Sequence, residues 1–155
     1  MYNLFDRILM LKRSQVFSEV STESLRIVAH ELVEESYLPG ERVFDIDEQG
    51  DHMYLVVSGS IGISLNTNPE VKEYVVELRE GDCFGEMGML DDLPRSATAH
   101  VLEDSLLLVL EKSRLLGLIS SYPELALGIL RSLSIRLRET NQRVLESKDA
   151  SSHKL

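Results

Sequence analysis

The middle of the chain alternates short apolar runs with turn residues, which restricts the fold to a few β architectures. The runs cover residues 42–45, 53–58, 61–65, 74–78, 98–101 and 105–110. Turn-forming residues such as Gly, Asn, Asp and Ser mark the breaks between them. Strands this short and closely spaced are typical of antiparallel barrels and rolls. We therefore predict a mainly β fold, an antiparallel roll over about residues 37–111, with Gly59 in a turn of positive φ.

The residues before the first apolar run have a helical period instead. Apolar side chains keep a helical spacing within residues 1–14, and Ser21 is a candidate N-cap for a second helix. The buried face of that second helix is predicted to contain Leu25, Val28, Ala29, Leu32 and Val33. We assign residues 1–20 to an N-terminal helical extension of the domain.

A helical period returns after the last apolar run. Residues 113–120 form one predicted helix, and Pro123 opens a longer one that reaches about residue 147. Residues 148–155 are assigned to a polar tail. The domain is therefore expected to cover residues 21–147, with its C-terminal helices over 113–147.

Length and charge favour a single cytoplasmic domain. The chain has 155 residues, and 16 basic against 26 acidic residues give a net charge of −10. That balance argues against nonspecific binding to nucleic acid or to an anionic membrane surface. Cys83 is the sole cysteine, so no internal disulfide can form, as is usual in a reducing compartment. Residues 1–14 contain no apolar run long enough to cross a bilayer, and we expect no membrane insertion.

Residues 84–97 combine groups that suit a ribose phosphate. Gly85 lets the backbone approach a ligand closely, and Arg95 supplies a fixed cationic fork for a phosphate. Glu86 would repel a phosphate, but its carboxylate can accept hydrogen bonds from sugar hydroxyls. The alternative is a loop in which Glu86 and Arg95 form a surface salt bridge.

This segment, Phe84-Gly-Glu followed by an apolar turn and Pro94-Arg95-Ser96-Ala97, resembles the phosphate-binding cassette of cyclic nucleotide-binding domains. That family folds as a jelly-roll-like β-roll, a double-stranded β-helix, with flanking helices. The resemblance extends to Gly40-Glu41, Gly50-Asp51 and residues 53–59, and covers about residues 16–147. We call residues 84–97 the cassette.

The resemblance implies a role for each polar group of the cassette. Glu86 is expected to bind the ribose 2′-hydroxyl and Arg95 the cyclic phosphate. The amides of Gly88 and Ser96 and the Ser96 hydroxyl complete the anion site, and Gly85 permits the turn. Met87 is expected to tune the hydrophobic contact that shifts when ligand binds.

The last helix carries a second clue. A seam with alternating steps of four and three residues consists of Ala126, Leu130, Leu133, Leu137, Thr140 and Val144. The seam can pair with the same helix of a second copy, giving a homodimer through residues 124–147, or it can cover the β-roll of its own chain.

Within the family, the catabolite activator class has the same spacing from Arg95 through Pro123. That likeness implies that Thr140 faces the adenine amino group and that a partner's Asn141 contacts the same base. A structural or capping role for Thr140 is the alternative.

These features predict a non-catalytic regulatory sensor that binds a cyclic mononucleotide and repositions its C-terminal helix. Cyclic AMP is the preferred ligand because of Thr140, and cyclic GMP is the alternative. The competing hypothesis is an interaction or dimerisation module of the same fold that no longer senses nucleotide. A β-barrel enzyme ranks third, because the four His residues are isolated and no catalytic constellation, metal site or prosthetic group is indicated. Further domains of a longer protein are expected partners, and nucleic acid is not.

Overall fold

The structure is a computed structural model and describes residues 2–153. The helices in this part of the chain are α1 (Leu4–Arg13), α2 (Thr22–His30), α3 (Glu86–Asp91), α4 (Lys112–Ser121) and α5 (Glu124–His153). The strands are β1 (Val33–Tyr37), β2 (Arg42–Phe44), β3 (His52–Ser58), β4 (Ile61–Ser64), β5 (Val76–Leu78), β6 (Cys83–Phe84), β7 (Thr98–Val101) and β8 (Ser105–Glu111). None of these helices is long and apolar enough to span a membrane.

The strands form two antiparallel sheets of four strands each. Sheet A has the order β1-β8-β3-β6, and sheet B has the order β2-β7-β4-β5. Non-consecutive strands lie side by side in both sheets, so the chain winds between them as a roll. The predicted fold class, a β-roll with helices at both ends and a short helix in the cassette, is confirmed.

Alternate residues of the central strands of sheet A serve two separate cores. In β3, Tyr54 and Val56 face the core between the sheets, whereas Leu55 faces the core beneath the helices. β8 follows the same rule, with Leu107 in the first core and Leu108 in the second. Helices α1, α2, α4 and the start of α5 therefore cover sheet A on the side away from the roll interior.

The helix prediction near Val33 is wrong. Helix α2 ends at His30, and Val33 begins strand β1 with 52% of its surface exposed. The sequence conceals this strand because Glu34 and Glu35 interrupt its apolar pattern. β1 tolerates them because it is an edge strand that pairs with β8 on one side only.

Other boundaries match the expectation more closely. Ser21 caps α2 by accepting a hydrogen bond from the Ser24 amide at 3.2 Å. Gly59 has a φ of +96°, and a Cβ there would lie 2.6 Å from the Asp104 carbonyl oxygen, so the turn requires glycine. Helix α5 continues past the expected end near residue 147 to His153. Residues 154 and 155 of the predicted polar tail lie outside the described residues.

Candidate functional site

A cavity of about 340 Å³ opens between the cassette and the end of the roll. Six of the eight residues proposed from the sequence line it: Gly85, Glu86, Met87, Gly88, Arg95 and Ser96. Phe44 of β2 and Ile63 of β4 supply its apolar wall from sheet B. The cassette is contiguous in sequence, so one local segment provides most of the polar groups of the cavity.

Helix α3 begins at the cavity without a capping side chain. Gly85 occupies the N-cap position in the left-handed conformation, with φ of +79°. A Cβ at Gly85 would lie 2.9 Å from Nη1 of Arg95 and 3.0 Å from the His52 carbonyl oxygen. Glycine is therefore needed both for the conformation and for the close approach of Arg95. The first-turn amides of α3 have no acceptor within the helix.

Arg95 enters the roll with most of its guanidinium buried. Only 5% of the residue is exposed, and its Nη1 and Nη2 atoms donate to the carbonyl oxygens of Gly85 and His52 at 2.9 and 2.8 Å. Its buried Nε has no hydrogen-bond partner among the described residues. No carboxylate of the described chain lies within 4.0 Å of the guanidinium. Burial lowers the pKa of Arg95, yet an arginine remains charged at neutral pH. The cavity thus contains a buried cation that has no anionic partner within the described part of the chain.

Glu86 lies against the last helix rather than against Arg95. Its Oε1 atom is 4.0 Å from Nη1 of Arg136, and its side chain is 17% exposed. The thiol of Cys83 donates to Oε2 at 3.7 Å. Burial, followed by the nearby Glu86 charge, raises the pKa of Cys83, so the thiol stays protonated. The surface salt bridge between Glu86 and Arg95, the alternative left open by the sequence, does not form.

Thr140 and Asn141 are not among the residues that line the cavity. Both are exposed on α5, and the Thr140 hydroxyl donates to the carbonyl oxygen of Arg136 at 2.9 Å. Sequence reasoning did not identify Arg136, although it lies one helical turn before Thr140 on the same face. Phe44 was also missed, because nothing in its local sequence connects it with the cassette.

The described part of the chain offers no cluster of side chains suited to a metal ion. Residues 2–153 contain no group of three or more His, Cys, Asp or Glu side chains that could hold a metal ion.

The fold and the cassette agree with a family assignment. The family model of the cyclic nucleotide-binding domain matches residues 34–122. The chain therefore belongs to the cyclic nucleotide-binding domain family, and the resemblance inferred from the cassette is confirmed.

Two curated relatives illustrate the range of the family. The cAMP-dependent protein kinase regulatory subunit of Debaryomyces hansenii is 37% identical over 120 residues, which are 73% of this chain and 26% of the relative. The CRP-like cAMP-activated global transcriptional regulator of Mycobacterium tuberculosis is 26% identical over 137 residues, or 88% of this chain and 61% of the relative. The chain thus spans less than two thirds of either protein.

Solved structures give the same result for the fold. The N-terminal domain of a transcriptional regulator from Streptomyces coelicolor superposes with a TM-score of 0.77 at 26% identity, over 86% of this chain and 95% of that domain. The catabolite activator protein of Thermus thermophilus superposes with a TM-score of 0.67 at 29% identity, over 87% of this chain and 63% of that protein.

Proposed function

We propose that the cavity binds a cyclic mononucleotide, with cyclic AMP preferred, and that the domain acts as a regulatory sensor rather than as a catalyst. The observation that carries this proposal is Arg95, a buried guanidinium whose Nε has no hydrogen-bond partner and which has no carboxylate partner among the residues that the structure describes. A buried charge without a partner is costly, and an anionic ligand offsets that cost.

The groups around Arg95 suit a cyclic phosphate joined to a ribose. Arg95 and the backbone amides of Gly88 and Ser96 are proposed to bind the phosphate oxygens, with the Ser96 hydroxyl as a further donor. Glu86 is half-buried beside the cavity and is proposed to accept a hydrogen bond from the ribose 2′-hydroxyl. One cation and one carboxylate that line the same cavity suit a singly charged phosphate diester that also presents a hydroxyl donor.

The names of the relatives support cyclic AMP as the ligand. Both the Debaryomyces kinase subunit and the Mycobacterium regulator are described in terms of cAMP. Thr140 is proposed to favour adenine, although its hydroxyl now bonds within the helix. Binding is therefore proposed to reposition α5 so that Thr140, and Asn141 of a second copy, reach the base.

The exposed seam on α5 supports the second candidate function, an interaction or dimerisation module. Leu130, Leu137 and Val144 recur at intervals of one heptad and are 63%, 61% and 49% exposed. Such a stripe suits a second copy of the helix. A homodimer is compatible with the sensor and becomes the whole function only if the cavity does not bind nucleotide.

Calorimetric titration of nucleotide-stripped protein with cyclic AMP and cyclic GMP tests the proposal. Arg95→Ala should weaken cyclic AMP binding by roughly 2–4 kcal/mol, which is one to several orders of magnitude in Kd. Arg79→Ala is the matched control, because Arg79 has a 72% exposed side chain and does not line the cavity. Binding of neither nucleotide by the wild type, or equal binding by the Arg95 variant, would reject the sensor and favour the interaction module.

A further inference from the structure

The aromatic ring of Phe44 lies directly beneath the guanidinium of Arg95. The Arg95 Cζ atom is 4.1 Å from the centroid of the Phe44 ring, well within the range of a cation–π interaction. Tyr54 is more distant, with 6.0 Å between its centroid and the same carbon. Phe44 is therefore the nearer of the two aromatic rings that face the cation in the described chain.

The position of Phe44 is fixed by its neighbours. Its ring centroid lies 5.9 Å from those of both Tyr54 and Phe84, and the Tyr54 and Phe84 rings stack with centroids 5.0 Å apart. The half-buried ring of Phe44 therefore packs against two aromatic neighbours as well as against Arg95.

The backbone of strand β2 also directs Phe44 towards the cavity. Arg42 pairs with His100 of β7, but Phe44 pairs with Ala99, so the register shifts between the two pairs. Such an irregularity changes the direction of a side chain relative to a regular strand.

An aromatic ring suits this position better than a carboxylate. An acid at residue 44 would form an ion pair with Arg95 and would then compete with the ligand phosphate. A ring face attracts the cation but does not form an ion pair with its N–H groups, so the Arg95 charge remains available to a ligand phosphate. The carbonyls of Gly85 and His52 engage Nη1 and Nη2, and the ring supports the plane of the guanidinium from one side.

We propose that Phe44 is a positioning residue that holds the Arg95 guanidinium in the cavity through its aromatic face, so that the cation is already in place for an anionic ligand. This inference rests on the proposed function for the identity of the ligand. It differs from that function because it assigns part of the affinity to a residue outside the cassette. Pre-placement of a binding group raises affinity because less ordering is required when the ligand arrives.

Two substitutions of Phe44 distinguish the effect of its aromatic face from the effect of its apolar volume. Phe44→Leu retains an apolar side chain without a ring face, and Phe44→Tyr retains the face. We expect Phe44→Leu to weaken cyclic AMP binding by about three- to thirtyfold, and Phe44→Tyr to change it by less than about twofold. Thermal unfolding of both variants without ligand verifies that each is folded.

Fluorination of the Phe44 ring provides the decisive series. Mono-, di- and trifluorinated phenylalanine at this position withdraw electron density from the face with little change in shape. Affinity should fall stepwise along the series if the ring attracts the cation. Equal affinities for all ring variants would overturn the proposal.

A ligand-free measurement distinguishes failure of this inference from failure of the proposed function. The Arg95 Nε–H proton, recorded by NMR, should show an upfield ring-current shift that is lost in Phe44→Leu, together with increased side-chain mobility. An unchanged shift and mobility would overturn the positioning role even if the wild type binds nucleotide. If the wild type binds neither nucleotide, the proposed function fails, and this NMR comparison still decides whether Phe44 positions Arg95.

Discussion

Arg136 of helix α5 reaches Glu86 at the start of the cassette helix. Its Nη1 atom lies 4.0 Å from the Oε1 atom of Glu86 and donates to the Sδ atom of Met87 at 3.7 Å. The C-terminal helix therefore contacts the proposed ribose acceptor directly. A positive charge beside Glu86 also reduces the repulsion between its carboxylate and a ligand phosphate.

Arg136→Gln should weaken ligand binding, and it should also reduce the effect of bound ligand on α5. Because the Arg136–Glu86 pair is partly exposed, we expect a loss of about 0.5–1 kcal/mol, or two- to fivefold in Kd. Hydrogen exchange should show a smaller ligand-dependent change in α5 than in the wild type. Arg138→Gln is the control, since Arg138 is exposed on the same helix. If the Arg136 and Arg138 variants showed the same ligand-dependent change in hydrogen exchange in α5, Arg136 would not couple α5 to the ligand site.

Gly50 provides an independent test of the placement of Arg95. A Cβ at residue 50 would lie 1.9 Å from the Arg95 Nε atom, so Gly50→Ala should displace the guanidinium. We expect a loss of roughly 1–3 kcal/mol in the free energy of unfolding, together with weaker nucleotide binding. Urea unfolding and calorimetry measure the two effects.

Gly117→Ala is the matched control for that substitution. Gly117 lies within α4, and a Cβ there would meet nothing within 4 Å. Alanine should stabilise the protein by about 0.5–1 kcal/mol through helix propensity and leave binding unchanged. If Gly50→Ala behaved like this control, Arg95 would not lie against Gly50.

The sequence predicted which cassette residues come together, because these residues are contiguous in the chain. Gly85, Glu86 and Arg95 lie on one turn, one short helix and one loop, so their spacing in sequence determines much of their spacing in the fold. The β-roll was predictable for a similar reason, since turn residues separate most of its strands.

The partners of these groups were not predictable from local pattern. Phe44 lies on β2, which pairs with β7 in an irregular register, and Arg136 approaches Glu86 from α5, so both contacts join segments that are distant in sequence. Strand β1 was missed because Glu34 and Glu35 give it a polar character that only its edge position explains. Each of these features depends on tertiary contacts between distant segments.

The seam on α5 gives a prediction about assembly. Leu137→Glu places a charge at a seam position that is 61% exposed, and it should weaken self-association by at least about tenfold if the seam is a dimer interface. Sedimentation equilibrium measures the change. Leu116→Glu, on α4 and 51% exposed, controls for the general effect of an added surface charge. A monomeric wild type would exclude the homodimer under those conditions.

His100 makes the stability of the roll depend on pH. The residue is 3% exposed, its Nε2 atom has no hydrogen-bond partner among the described residues, and the ring of Tyr74 covers it at a centroid distance of 5.4 Å. Burial lowers the pKa of His100, with the charges of Arg42 and Lys72 adding to the effect and Asp45 opposing it. The folded protein therefore holds this imidazole neutral.

The sign of the pH dependence follows from proton uptake. An unfolded chain protonates a histidine near its ordinary pKa of about 6.5, before the folded protein does. The stabilising contribution of neutral His100 is complete above that pH and is lost as the pH falls through the lowered pKa of the folded state. The slope cannot exceed that of one proton, about 1.4 kcal/mol per pH unit.

His100→Gln should remove this part of the pH dependence because glutamine does not titrate. Urea unfolding between about pH 7 and pH 5 should give a flatter profile for the variant than for the wild type. His30→Gln, at an exposed position, is the control for the loss of a histidine. If His100→Gln retained the full wild-type slope, other groups would be responsible for the acid sensitivity of the fold.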